Sequence, residues 1–288
     1  MDQNYNFIVG ILNSGIGNKL FLLLEHLYIY KLLKHSNPEL KLYIINQRSH
    51  HEKTEKIHID KLFEPIDNIE FLTWAQYDKL KSSIKQIIKK QPTYSESFLK
   101  SIEFPCVFDY ILEHIPEIKH SIIDSFDIAL HSPKKSVSDI GVHVRFGDKL
   151  LYPYDSYLFA NPLYYIESIK SIRKPGESVT IYTDSPKIVE EFILPFIDKP
   201  VSISDSNPED TVLEMAKIKK LVITDSTLPL AALVLRKSSC EVLFPKYNFT
   251  VKYPNFMFEI PKRIKFHYMP LEKISLFTFE QLKRFYKI

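Results

Sequence analysis

Glycine is scarce in this sequence: six residues in 288. Five of them, Gly10, Gly15, Gly17, Gly141 and Gly147, fall in two short segments, and the sixth, Gly176, lies in a plain Lys-Pro-Gly-Glu turn. Where glycine is this rare, its placement marks backbone that takes a positive φ or lets another group come close. Cysteine is rarer still. Cys106 and Cys240 lie outside any Cys-x-x-Cys pair, which leaves room for at most one disulfide, argues against a structural zinc site and points to a reducing compartment. A net charge of +3 is too small to imply a nucleic-acid partner. Long apolar runs are absent too: Leu20 to Leu33 is interrupted by Glu25, His26 and Lys31 and is shorter than a membrane span. Met1 to Asn6 is polar, with no basic region before an apolar run, so no secretory signal or transmembrane segment is expected and the location is read as cytoplasmic.

What remains is ordinary globular composition, 45% apolar and 25% charged, on a chain long enough for one large or two medium α/β domains. The first unit opens as strand (7–12), glycine turn (13–18) and helix (19–33), followed by strands at 42–45 and 69–72. Residues 76–90 and 95–130 read as mostly helical. The polar stretch His131 to Asp139 is the linker candidate. Beyond it strands and helices alternate. Strands are expected at 140–145, 179–183, 201–203, 221–224 and 241–244, and helices at 162–173, 186–196, 208–220 and 228–237. This is the pattern of βαβ crossovers and a parallel sheet. The expected fold class is α/β, with two Rossmann-like domains facing across a cleft. An N-terminal domain spans 1–135, on the acceptor side, and a donor-binding domain with a C-terminal tail spans 136–288.

Open α/β sheets bind ligands beyond the carboxyl ends of their strands, so four strand ends matter. Asn13-Ser14-Gly15-Ile16-Gly17-Asn18 lets the backbone approach a ligand at a helix N-terminus, or makes a plain capped turn. Leu20 stands where a dinucleotide fingerprint needs its third glycine. In Gly141-Val142-His143-Val144-Arg145-Phe146-Gly147-Asp148, alternation puts His143 and Arg145 on one face of a strand. There they serve a ligand or a fixed network, Arg145 gripping a diphosphate or pairing with Asp148. Thr183-Asp184-Ser185-Pro186 is accounted for by helix capping, with donor binding by Asp184 as the second reading. Thr224-Asp225-Ser226-Thr227 offers hydroxyls and N–H groups as a phosphate cradle, or again a cap. Asp210 and Glu214 share a helix face before it. No Asp-x-Asp metal pair and no helical His-x-x-x-His pair occur.

In order and rough spacing over residues 7 to 235, these segments resemble the α-1,2-fucosyltransferase family, and more distantly the α-1,6- and protein O-fucosyltransferases. The family's Gly-Gly-Leu-Gly-Asn-Gln turn stands here as Ser14-Gly15-Ile16-Gly17-Asn18-Lys19, and its His-x-Arg-Arg-Gly-Asp hallmark as His143-Val144-Arg145-Phe146-Gly147-Asp148. Its Ser/Thr-Asp-Asp/Ser-Pro segment stands as Thr183-Asp184-Ser185-Pro186. Asp210 with Met215, and then Ser226-Thr227, match the remaining pieces. The resemblance implies a GT-B-like fold and inverting transfer of fucose from GDP-fucose to a hydroxyl of a glycan acceptor. It implies no metal and no cofactor beyond that donor substrate. Catalytic roles fall to Arg145, Asp148 and His143, the proton going to Asp148 first and His143 second. Donor binding falls to Gly15, Gly17, Asn18, His143, Arg145, Asp184, Asp210, Ser226 and Thr227. Phe146 replaces the family's second arginine, and Leu230-Ala231 its usual Trp-Trp. Transfer from another nucleotide sugar, and a non-catalytic nucleotide-sugar or glycan-binding protein of this fold, therefore stand as alternatives.

Overall fold

The structure is a computed structural model that describes residues 7–12, 15–35, 38–46, 58–79, 130–147, 159–224, 226–245, 264–269, 276–277, 281 and 284. The chain divides into two compact units, Met1–His131 and Ser132–Ile288.

In the first unit, β1 (Phe7–Leu12) runs into α1 (Ile16–Lys34), which returns to β2 (Lys41–Asn46); β3 (Ile69–Leu72) follows. The three strands are parallel, in the order β1-β2-β3. Helix α1 starts three residues before the expected point. The Lys19 N–H donates to the Gly15 carbonyl at 3.0 Å and closes the first turn there, so Gly17 and Asn18 are helical rather than turn residues. The helix buries Leu20, Leu22, Leu23, Leu24, Leu27 and Tyr30. It comes very close to the sheet at one glycine: a Cβ on Gly10 would lie 2.6 Å from the His26 ring. The helices expected over 76–90 and 95–130 fall for the most part outside the described residues.

The second unit contains β4 (Ile140–Val144), β5 (Phe159–Ala160), α2 (Pro162–Ile172), β6 (Val179–Thr183), α3 (Pro186–Phe192) and β7 (Val201–Ile203). These are followed by α4 (Pro208–Met215), β8 (Lys220–Val222), α5 (Thr227–Leu235), β9 (Cys240–Pro245), β10 (Ile264–Met269) and β11 (Leu276–Phe277). Among the described residues, six of these strands form a wholly parallel sheet in the order β10-β9-β8-β4-β6-β7. The chain thus starts in the middle of the sheet, winds outward through β6 and β7, then returns to the other side of β4. That is the doubly wound Rossmann order, and its switch point lies between β4 and β8. β5 and β11 pair separately and antiparallel.

On one face of this sheet Val142, Val144, Phe146 and Ile181 pack against Tyr164, Tyr165, Ile166 and Ile169 of α2, Val189 of α3 and Ile193 just beyond it. Burial of each aliphatic side chain contributes roughly 1.5–3 kcal/mol, so this face is a large source of the unit's cohesion. Asn161 caps α2, its Oδ1 accepting from the Tyr164 N–H at 3.2 Å, and Asn207 caps α4 through the Asp210 N–H at 2.8 Å; proline follows each cap. Several elements are shorter than the sequence pattern suggests. Helix α3 stops at Phe192 and gives way to a 3₁₀ turn, Leu194–Phe196, because Pro195 lacks an N–H and disfavours α backbone at the residue before it. Helix α4 ends at Met215, where the Lys217 and Ile218 N–H groups both converge on the Glu214 carbonyl. Strand β10 is an addition, falling in what the sequence reading took as tail; it is an edge strand whose polar Lys265 and His267 dilute the apolar signal.

Candidate active site at the carboxyl edge of the second sheet

The pleat of β4 sorts its side chains. Val142, Val144 and Phe146 join the apolar core, so His143 and Arg145 lie on the opposite face, as alternation requires. His143 is buried, while the Arg145 side chain keeps 30% of its surface exposed. Next to β4 in the sheet is β8, with Val142 opposite Val222. The segments that follow these two strands, 145–147 and 223–224, therefore leave the same edge at neighbouring positions, at the switch point of the fold.

The end of β6 supplies the other half of the site. Asp184 Oδ1 accepts hydrogen bonds from the Phe146 N–H at 3.0 Å, the Gly147 N–H at 3.1 Å and the Ser185 hydroxyl at 3.1 Å. The Gly147 N–H is shared with Ser185 Oγ at 3.0 Å, and Asp184 Oδ2 stands 3.8 Å from Arg145 Nε. A Cβ on Gly147 would overlap Asp184 Oδ2, so any larger residue there has to displace the carboxylate. Neither Asp184 nor Ser185 caps α3: Ser185 is the N-cap residue, yet its side chain makes no capping bond. Both side chains are turned instead to the loop after β4, which corrects the capping expectation for this segment.

At the end of β8, Ser226 is buried and its N–H donates to the Thr224 carbonyl at 2.7 Å. Ser226 occupies the N-cap position of α5 without a side-chain capping bond, again unlike the capping alternative, and Thr227 opens the helix. The buried Tyr164 hydroxyl reaches the Ile223 carbonyl at 2.7 Å and that of Leu243 at 3.2 Å, anchoring the strand ends beneath this turn. Sequence reasoning missed Tyr164, since only the tertiary fold brings α2 under β8.

On the His143 face, Tyr182 donates to the buried Glu214 carboxylate at 2.8 Å, and Ser206 donates to its other oxygen at 2.7 Å. Burial, and then the Glu214 charge, push the Tyr182 hydroxyl far above its ordinary pKa, so it remains a donor. Asp210, in the first turn of α4, accepts from Lys134 Nζ at 3.0 Å. Phe146, which stands where the resemblance places a second arginine, is fully buried and meets Tyr165 edge-on at 6.5 Å. Asp148 lies outside the described residues. Gly15, Gly17 and Asn18 form the start of α1 in the first unit, and among the described residues nothing lies within 4 Å of a Cβ built on Gly15. The second unit thus joins Arg145, Asp184 and Ser185 by direct contact and sets Ser226 and Thr227 on the adjoining strand end.

A family 9 glycosyl transferase from Veillonella parvula superposes with a TM-score of 0.51 at 12% identity, over 100% of this chain and 90% of that one. The E. coli ADP-heptose LPS heptosyltransferase II gives 0.50 at 11% identity, over 98% of each chain. This chain has their fold. NodZ, an α-1,6-fucosyltransferase solved after soaking with GDP-fucose, aligns at 0.46 and 14% identity, over 85% of this chain and 96% of that one, below the level at which a likeness bears weight. No protein-family model and no curated protein matches the sequence. No helix among the described residues is long and apolar enough to cross a membrane. No group of three or more His, Cys, Asp or Glu among them is placed to hold a metal ion.

Proposed function

We propose that the protein is an inverting glycosyltransferase that moves fucose from GDP-fucose to a hydroxyl of a glycan acceptor without a metal ion. The observation that carries this reading is Arg145, partly exposed at the end of β4, whose sheet neighbour β8 leads to the Ser226–Thr227 helix start, in a fold shared with glycosyltransferases. The sequence resemblance supplies the choice of fucose and GDP. In the reaction the acceptor oxygen forms a bond to the anomeric carbon from the face opposite the donor. The bond from that carbon to the β-phosphate oxygen breaks, and GDP leaves with the electron pair. Arg145 meets the charge that develops on the diphosphate with two parallel N–H bonds, and the Ser226 and Thr227 hydroxyls and N–H groups receive the remaining oxygens. The acceptor proton passes to Asp148, with His143 as the second choice of base. Asp210 is assigned to donor binding.

Phe146 favours one further reading, a donor other than GDP-fucose, because the second arginine of the family pattern is replaced by a core side chain. Calorimetric titration of GDP, GDP-fucose and ADP into the wild-type chain, with EDTA present, tests both. GDP and GDP-fucose binding that is lost in a folded Arg145→Ala variant supports fucosyl transfer. Binding of ADP but not GDP moves the donor to an ADP-sugar. Binding of GDP-fucose with neither transfer nor hydrolysis identifies a non-catalytic binding protein, and no binding of any of the three sinks the donor assignment.

A further inference from the structure

Asp184 belongs to a sequence segment that reads either as a helix cap or as a ligand to the donor, and its surroundings fit neither. We propose that Asp184 is a positioning residue: it locks the Arg145–Gly147 loop so that the guanidinium is held in place for the donor's diphosphate, and it does not itself touch the donor. This rests on the reading that Arg145 grips that diphosphate.

Three facts lead there. First, the carboxylate is engaged by its own protein: the Phe146 and Gly147 N–H groups and the Ser185 hydroxyl on Oδ1, with Arg145 Nε 3.8 Å from Oδ2. Three donors thus converge on one oxygen and tie Asp184 to the loop after β4, while the other oxygen pairs with the guanidinium at 3.8 Å. Second, the charges decide what it can face. A carboxylate set against a diphosphate repels it, whereas a carboxylate behind an arginine orients the cation and leaves attraction in front. Third, the packing is mutual. Asp184 Cγ would lie 2.5 Å from a Cβ at position 147, so the glycine of one segment and the aspartate of another, 37 residues apart, form one structural unit. Fixing the backbone on both sides of the Phe146 N–H also sets how Phe146 drops into the core while Arg145 stays at the edge. An arginine held this way loses less freedom when a ligand arrives, which raises affinity without a new contact.

The test is a double-mutant cycle on the full chain, with GDP as probe. Asp184→Ala is expected to weaken GDP binding about tenfold, and Asp184→Asn, which keeps Oδ1 as an acceptor, by no more than about threefold. In an Arg145→Lys background, where no planar fork remains to be oriented, Asp184→Ala is expected to change GDP affinity less than about twofold. Losses that multiply across the two positions would mean that Asp184 meets the donor directly, and the proposal falls. A second arm needs no nucleotide. Gly147→Ala should lower the unfolding temperature by several degrees in the wild type and by far less in the Asp184→Ala chain; an equal drop in both overturns the steric link. If wild type binds no GDP, the fucosyl-donor reading fails, and this second arm decides the loop-locking proposal alone.

Discussion

Each unit places a cation just beyond its first strand, and the two are treated in opposite ways. In the first unit Lys19, in the opening turn of α1, is fully buried and donates to Asn46 Oδ1 at the end of β2, 2.8 Å away. In the second, Arg145 leaves β4 with 30% of its side chain exposed and the Asp184 carboxylate 3.8 Å from its Nε. A cation withdrawn from water and bonded inside its own unit contributes to structure, because giving up that contact leaves a charge in an apolar setting. A partly exposed cation paired with a carboxylate at a strand end is suited to an anionic ligand. Two parallel sheets thus differ in the use made of their carboxyl edges, and the difference rests on exposure rather than on residue class.

The sharpest way to break this comparison is to extend the charged edge by one residue. Phe146→Arg restores the residue expected from the resemblance, yet side chain 146 points into the core against Tyr165. A charge left unpaired there costs about 3–5 kcal/mol, so the variant should unfold at markedly lower denaturant concentration and gain no GDP affinity. Wild-type stability and tighter GDP binding in the Phe146→Arg variant would show that the edge tolerates a second cation. Next in size is Arg145→Ala. Its partly exposed side chain makes little contribution to folding, but turnover should fall by about 10²–10³, equivalent to roughly 2.7–4 kcal/mol in the barrier. Steady-state kinetics together with a melting curve separate the two effects; a lost melting transition would make Arg145 structural, like Lys19.

How much of this was legible beforehand follows the same division. The alternation after residue 140 announced the parallel sheet because each strand is a short apolar run set between helices, and His143 and Arg145 were assigned to one face by period alone. Their chemistry was less readable. Asp184 and Ser185 carry the composition of a cap, and only tertiary packing shows that they serve a loop 37 residues away. Phe146 read as a gap in the site, whereas the pleat that exposes Arg145 necessarily buries its neighbour. In the first unit Lys19 opens a helical apolar pattern with no sign of its role; burial of a lysine amine is invisible until β2 brings Asn46 alongside. Local patterns report backbone periodicity well, but they do not reveal which strand end a polar side chain will face.

Lys19→Met sharpens the comparison from the other side. The substitution keeps the side-chain volume and removes the bond to Asn46, so stability should fall by about 1–3 kcal/mol while GDP affinity stays within about twofold of wild type. Chemical denaturation followed by GDP titration of the folded variant checks both. Loss of GDP binding at full stability would show that the buried lysine serves the ligand after all.

The smallest effect is one of pH, and it separates the units by which of them responds. His26 packs its ring against Gly10 of β1 and bonds through Nδ1 to the Leu22 carbonyl at 2.6 Å. Burial lowers its pKa below the ordinary 6.5, only partly opposed by that carbonyl. Protons therefore bind the unfolded chain in preference. The contribution of His26 to stability is complete above pH 6.5 and is lost as pH falls below it, by at most about 1.4 kcal/mol per pH unit. Trp74, the one tryptophan of the sequence, lies in the first unit and packs edge-on against the buried Tyr77, so its fluorescence follows that unit's unfolding. The midpoint it reports should drop between pH 6.5 and 5 in the wild type and stay level in His26→Gln. A midpoint that falls equally in both would assign the acid response to groups other than this buried ring.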